Sequence, residues 1–130
     1  MKKQEYAVGE AVPIDIIITT GSNAVTGVQL EMEYDPTLIA VDTITEGTFF
    51  AKPIVIANKN DKTKGQIVFA VGSFDGKTGN GAVATLTARA LKKTNGRVEG
   101  LTVKPTSLVT ELNNKTSVLR AVKGVYIVIR

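Results

Sequence analysis

Residues 27–34, Gly-Val-Gln-Leu-Glu-Met-Glu-Tyr, alternate between apolar and polar or small without a slip. Val28, Leu30, Met32 and Tyr34 fall on one side of an extended chain, and Gly27, Gln29, Glu31 and Glu33 on the other. A period of two predicts an antiparallel strand with one face on a core and one face exposed. Asp35-Pro36 ends it, because proline gives nothing to the ladder and favours a turn. Register here is tightly held. A slip of one residue would bury the glutamates and expose the four apolar side chains.

The rest of the chain reads in the same way. Short extended segments are expected at 5–8, 12–20, 38–44, 54–56, 66–73, 98–103, 107–112 and 125–129. Polar or glycine-rich turns are expected at 21–23, 58–65, 75–81 and 113–115. Residues 82–91 suit either a helix or a strand; Thr85 and Thr87 alternating with Ala84, Leu86 and Ala88 favour the strand. Residues 117–122 fit a helical turn or a strand. About nine short strands, turn signals every ~8–12 residues and no long helical period predict an all-β chain. The expected fold is a two-sheet β-sandwich with jelly-roll topology, and residues 1–130 are expected to form a single domain. With 43% hydrophobic residues but only 5% aromatic and no tryptophan, its core must be built from Val, Ile and Leu.

Chemistry is constrained by what is missing. The chain has no histidine and no cysteine, which removes the usual general base, the thiol nucleophile and the common zinc ligand sets. Asp35, Asp42, Asp61 and Asp75 are the candidate carboxylates for hydrolysis, but each is read in or beside a turn, where aspartate bonds its own backbone. No enzyme is expected. Residues 72–78 approach a phosphate-binding loop but are one residue short and open no helix. Residues 58–65 lack the alternating acids of a calcium loop, so no cofactor or metal is expected on this chain. The net charge of +4 comes from scattered lysines without a basic stripe, which argues against nucleic acid. No run of ~18 apolar residues is present, so no membrane insertion is expected. Met1-Lys2-Lys3 is basic without an apolar stretch behind it, so no secretion signal is read there. Asn114-Lys115-Thr116 fits a glycosylation sequon.

Two surface readings remain. Sugar stacking needs exposed rings, and with Tyr34 and Phe69 facing the core only Phe49-Phe50 or Phe74 offers them. A carbohydrate- or cell-wall-binding module is therefore the alternative. The outward sides of two strands fit a protein partner better. Gly27, Gln29 and Glu31 would lie beside Val68, Ala70 and Gly72, a flat strip of small and apolar residues with a polar rim. The same strip could instead pack beneath a loop or the other sheet.

Four segments sharpen this reading: Val-Pro-Ile-Asp-Ile at 12–16, Gly-Val-Gln-Leu-Glu-Met-Glu-Tyr-Asp-Pro-Thr-Leu at 27–38, Gly-Gln-Ile-Val-Phe-Ala at 65–70 and Gly-Ala-Val-Ala-Thr-Leu at 81–86. In this order and spacing the chain resembles cohesin domains, the receptor modules of bacterial cellulosome scaffoldins and related cell-surface proteins. The resemblance runs from about Glu5 to Ile129. It implies a non-catalytic jelly-roll sandwich that binds a dockerin, a small calcium-loaded helical module, through one flat sheet face. It implies calcium on the partner and an extracellular or cell-surface setting within a larger secreted protein. By the resemblance, the partner-binding face includes Gly27, Gln29 and Glu31 on the first strand and Val68, Ala70, Gly72 and Ser73 on the second. Asp61 in the preceding turn and Leu112 with Asn113 complete it. The chain departs from the family where well-studied members carry Asn and Asp, here Gly27 and Gln29, and where Ser73 replaces an acid. Partner identity does not carry over with the fold.

Overall fold

The computed structural model describes residues 5–20, 22, 24–104, 106–111 and 125–130. Among these residues there are ten strands and no helix: β1 (Glu5–Tyr6), β2 (Ala11–Thr19), β3 (Val25–Tyr34), β4 (Ile39–Glu46), β5 (Ile54–Asp61), β6 (Gln66–Lys77), β7 (Asn80–Ala90), β8 (Val98–Val103), β9 (Leu108–Glu111) and β10 (Val125–Ile129). They form a sandwich of a seven-stranded sheet, ordered β1-β10-β8-β3-β6-β5 with β9 also on β3, and a three-stranded sheet ordered β2-β7-β4. Every pairing is antiparallel except β1 with β10. Residues 82–91 lie almost wholly in β7, so their alternation prevails over their helix-favouring alanines. The segments expected at 117–122 and at Leu112-Asn113 lie outside the described residues.

Alternation builds the core. Val28, Leu30, Met32 and Tyr34 of β3 are buried, as are Ile67, Phe69 and Val71 of β6. Facing them are Val12, Ile14 and Ile16 of β2, Ile39 and Val41 of β4, and Ala84, Leu86 and Ala88 of β7. Small residues on the central strand of one sheet accommodate the larger side chains of the other. Pro13 sits on β2, an edge strand of the smaller sheet, where its missing N–H breaks no interior ladder.

Three expectations change. The polar stretch 58–65 is not one long turn, because β5 continues to Asp61 and the turn is confined to 62–65. Its asparagines serve the fold. Asn58 and Asn60 stand opposite Phe69 and Ile67 on the inward side of β5. Asn58 Nδ2 donates to the Ile44 carbonyl at 2.9 Å, and Asn60 Nδ2 donates to the Val41 carbonyl at 3.0 Å. Asn60 Oδ1 also accepts the Tyr34 hydroxyl at 2.8 Å. These amides bridge β5 to β4, an edge strand of the smaller sheet, and give two of its carbonyls a donor. The glycine-rich stretch 75–81 is likewise mostly strand, shared between the end of β6 and the start of β7. Asp42 lies inside β4, beside no turn.

β3 changes partner along its length. Met32 to Tyr34 pair with β8, and Val25 to Gln29 pair with β9. Between them Ser107, only 1% exposed, replaces a strand. Its Oγ accepts the Glu31 N–H at 2.9 Å and donates to the Glu31 carbonyl at 3.3 Å. Lys104 N–H donates to the same carbonyl at 2.7 Å.

Candidate functional site

The outward face of the larger sheet brings most of the expected site residues together. Strand registers set them in four rows. The first runs Thr110–Gly27–Gly72–Ile54, and the second Leu108–Gln29–Ala70–Ala57. The third runs Glu31–Val68–Lys59, and the fourth Thr102–Glu33–Gln66–Asp61. Side chains two residues apart share a face of a strand. Gly27, Gln29, Glu31, Val68, Ala70 and Gly72 are therefore one contiguous patch.

The centre of the patch is low and its flanks stand up. Ala70, between Gln29 and Ala57 on the outward side, is 7% exposed. Gly72 has no room for a side chain, since a Cβ there would lie 2.9 Å from the Thr26 carbonyl oxygen and 3.6 Å from Ile56 Cδ1. Gly27 does have room; a Cβ would meet nothing nearer than the Val71 carbonyl oxygen at 3.8 Å. Ile56 is 71% exposed and Leu108 47%, on opposite sides of this glycine floor. The strip does not pack beneath the other sheet, which lies against the opposite side of β3 and β6.

The remaining expected residues fare differently. Asp61 ends β5 in the fourth row, but its Oδ1 accepts the Thr63 and Lys64 N–H groups at 3.1 Å each, so it holds the turn. Ser73 follows Gly72 into a stretch looped out of the β3–β6 ladder, where its Oγ accepts the Asp75 N–H at 3.4 Å. Leu112 and Asn113 fall outside the described residues.

Sequence reasoning missed Ile54, Ile56, Ala57 and Leu108. The ladder shifts register between Val55 and Ala57, and this bulge turns Ile56 outward beside Gly72. The signal was the unbroken Ile-Val-Ile-Ala run at 54–57, which has too many apolar residues in succession for a strand with one buried face. Leu108 gave no such signal, because its side depends on pairing with Gln29.

Several carboxylates have local work. Asp35 Oδ1 accepts the Thr37 N–H at 2.9 Å and the Thr37 hydroxyl at 2.6 Å, and these bonds hold its carboxyl below the usual range. Burial pushes the Tyr34 phenol up, and the nearby Asp61 charge adds to this. Asp42 meets Arg89 at 3.5 Å, and Glu33 meets Lys104 at 3.3 Å. Among the described residues, no three acidic side chains are grouped to hold a metal. Of the rings considered for sugars, Phe49 and Phe50 are buried edge to face with centroids 4.9 Å apart. Phe74 is 90% exposed.

A family model described as cohesin domain matches residues 1–127. A comparison with curated proteins finds no match. Among solved structures, a type II cohesin from Bacteroides cellulosolvens is similar with a TM-score of 0.83 at 15% identity, covering 98% of this chain and 95% of its own. A cohesin from Clostridium acetobutylicum superposes with a TM-score of 0.76 at 21% identity, over 96% of this chain and 86% of its own. The cohesin of a type II cohesin–X–dockerin complex from Acetivibrio cellulolyticus gives 0.73 at 16% identity, over 88% and 85%.

Proposed function

Because the chain belongs to the cohesin family, whose members are non-catalytic interaction modules, we propose that it binds a dockerin-bearing protein through the four-row face. The observation that carries this reading is the patch formed by Gly27, Gly72 and Ala70, low in the middle and flanked by exposed Ile56 and Leu108. Such a surface excludes water beneath an apolar partner while its polar rim stays wet. An interface of ordinary size there buries about 1,200–2,000 Å² in total. Residues 1–130 act as one module, without catalysis and without a cofactor of their own. The calcium belongs to the partner. The setting is extracellular or on a cell surface, within a larger secreted protein that gathers its partners on a scaffold. Neither nucleic acid nor a membrane is a partner.

Calorimetric titration against a panel of purified dockerins, with calcium and then with chelator, tests this. Binding in calcium that chelator abolishes, with the unfolding temperature of this chain unchanged by chelator, is the expected result. Ala70→Arg raises a long charged side chain from the floor of the patch and should abolish binding with the circular dichroism spectrum intact. Undiminished affinity of Ala70→Arg would move the site off this face. The carbohydrate- or wall-binding alternative now rests on Phe74, because Phe49 and Phe50 are buried. Retention on insoluble polysaccharide that Phe74→Ala removes would favour it.

A further inference from the structure

Asparagine followed by glycine is prone to close on itself, because glycine has no side chain to hinder its amide nitrogen from reaching the asparagine amide. The chain has this pair twice, at Asn80-Gly81 and Asn95-Gly96, and the fold treats the two differently. Asn80 and Gly81 begin β7, opposite Thr19 and Ile18 of β2. The Gly79 backbone just before them is held twice. Its carbonyl accepts the Thr20 N–H at 2.9 Å, and its N–H donates to Thr20 Oγ1 at 2.8 Å. Gly81 lies against Phe49, whose Cα is 3.3 Å from where a Cβ would stand. Asn95 and Gly96, by contrast, lie between β7 and β8, outside any strand, and both are exposed. Gly96 has φ +83. We propose that Asn95 is a site of spontaneous deamidation in the folded protein, and that its conversion to isoaspartate loosens the hold on the C-terminal strand β10.

The chemistry needs only water and hydroxide. The Gly96 nitrogen, losing its proton to hydroxide, bonds to Asn95 Cγ, and the side-chain nitrogen leaves as ammonia. The cyclic imide then takes up one water. Opening at one carbonyl leaves aspartate, and opening at the other leaves isoaspartate, with no change in oxidation state. Lys92, Lys93 and Arg97 flank the pair, and positive charge favours the nitrogen anion and the carboxylate that follows. Ring closure requires the asparagine ψ to leave the extended value of about +135° that a strand imposes. At Asn80 that rotation breaks pairing with β2, whereas no ladder holds Asn95. Asp75-Gly76 offers a carboxylate, a poorer electrophile than an amide. Isoaspartate routes the chain through its side chain and adds one methylene between Thr94 and Gly96, where β10 is fastened. Thr94 N–H donates to the Ile129 carbonyl at 2.8 Å. Thr94 Oγ1 accepts the Ile129 N–H at 3.0 Å and donates to the Gly96 carbonyl at 2.7 Å. Thr94 is buried, so bonds broken there find no ready replacement in water.

The test is incubation of the purified chain in warm, mildly alkaline buffer, sampled over weeks and mapped by peptide mass spectrometry. Isoaspartate is read separately by enzymatic methylation. Conversion should concentrate at Asn95 and run about tenfold or more faster than at Asn80, where the start of β7 must first open. In urea the two sites should convert at comparable rates, because the glycine that follows is then the shared determinant. Asn95→Gln should remove the main product, since its longer side chain closes a larger ring slowly, and Asn80→Gln should leave that product unchanged. The isolated isoaspartate form should show faster hydrogen exchange at the Ile129 amide than fresh protein. Asn95→Asp should not, which separates the added methylene from the added charge. Equal conversion at the two sites of the folded chain, or none at Asn95, would overturn the site. Unchanged exchange at Ile129 in the isoaspartate form would overturn the loosening of β10.

Discussion

Ser107→Ala should lower stability by about 2 kcal/mol, although it removes one oxygen atom from a residue outside the described strands. The Glu31 N–H has Ser107 Oγ as its partner at 2.9 Å, at the gap where β3 passes from β8 to β9. A buried donor left without an acceptor costs about 1–3 kcal/mol. The Glu31 carbonyl loses the Ser107 hydroxyl but keeps the Lys104 N–H at 2.7 Å, which limits that part to about 0.5 kcal/mol. For a chain of 130 residues, a loss near 2 kcal/mol lowers Tm by about 6–10 °C. Urea unfolding followed by far-ultraviolet circular dichroism suits a chain without tryptophan, and the m-value should not change. Hydrogen exchange at the Glu31 amide should accelerate, because the lost bond protects that proton. Thr106→Ala, next door and exposed, should stay within about 0.5 kcal/mol of wild type. A Ser107→Ala loss below about 0.5 kcal/mol, or unchanged exchange at Glu31, would refute the view that a serine stands in for a strand here.

Further outcomes follow from the same geometry. Gly65 has φ +70, and a side chain there would collide with the Tyr34 carbonyl oxygen, so Gly65→Ala should destabilise by more than about 2 kcal/mol in urea unfolding. Gly27→Ala, with open space at its Cβ position, should be neutral or raise stability by up to about 1 kcal/mol in the same assay. Asn60→Ala strips the Val41 carbonyl and the Tyr34 hydroxyl of a partner at once and should cost about 2–3 kcal/mol by denaturant titration. The lowered pKa of Asp35 adds stability that is present above its unfolded value near 4 and is lost as pH falls through the folded value. Asp35→Asn should therefore flatten the acid limb of a plot of Tm against pH, by a small amount because the group is exposed.

Strand identity was legible wherever one face was buried. The alternation of residues 27–34 appears in β3 as expected, and it placed Gly27, Gln29 and Glu31 on the outward side before any neighbour was known. Ile67, Phe69 and Val71 did the same for β6. The polar stretch 58–65 misled because composition cannot distinguish a turn from an edge strand whose inward asparagines bond a neighbouring sheet. The bulge at Ile56 was hidden for a related reason. Which residue leaves a ladder depends on the partner strand's register, and that partner is ten or more residues away.

By itself the sequence determined the class of fold, the register of its central strands and the absence of histidine and cysteine chemistry. These follow from the period of the side chains and from their identities, which are local properties. Only the tertiary structure decided what stands beside what. Pairing across β9, β3, β6 and β5 brought Leu108, Gly27, Gly72 and Ile56 onto one surface, and it separated an uncharged end from a charged one. Cross-strand neighbours are joined by hydrogen bonds between distant segments, and local side-chain periodicity does not specify those pairings.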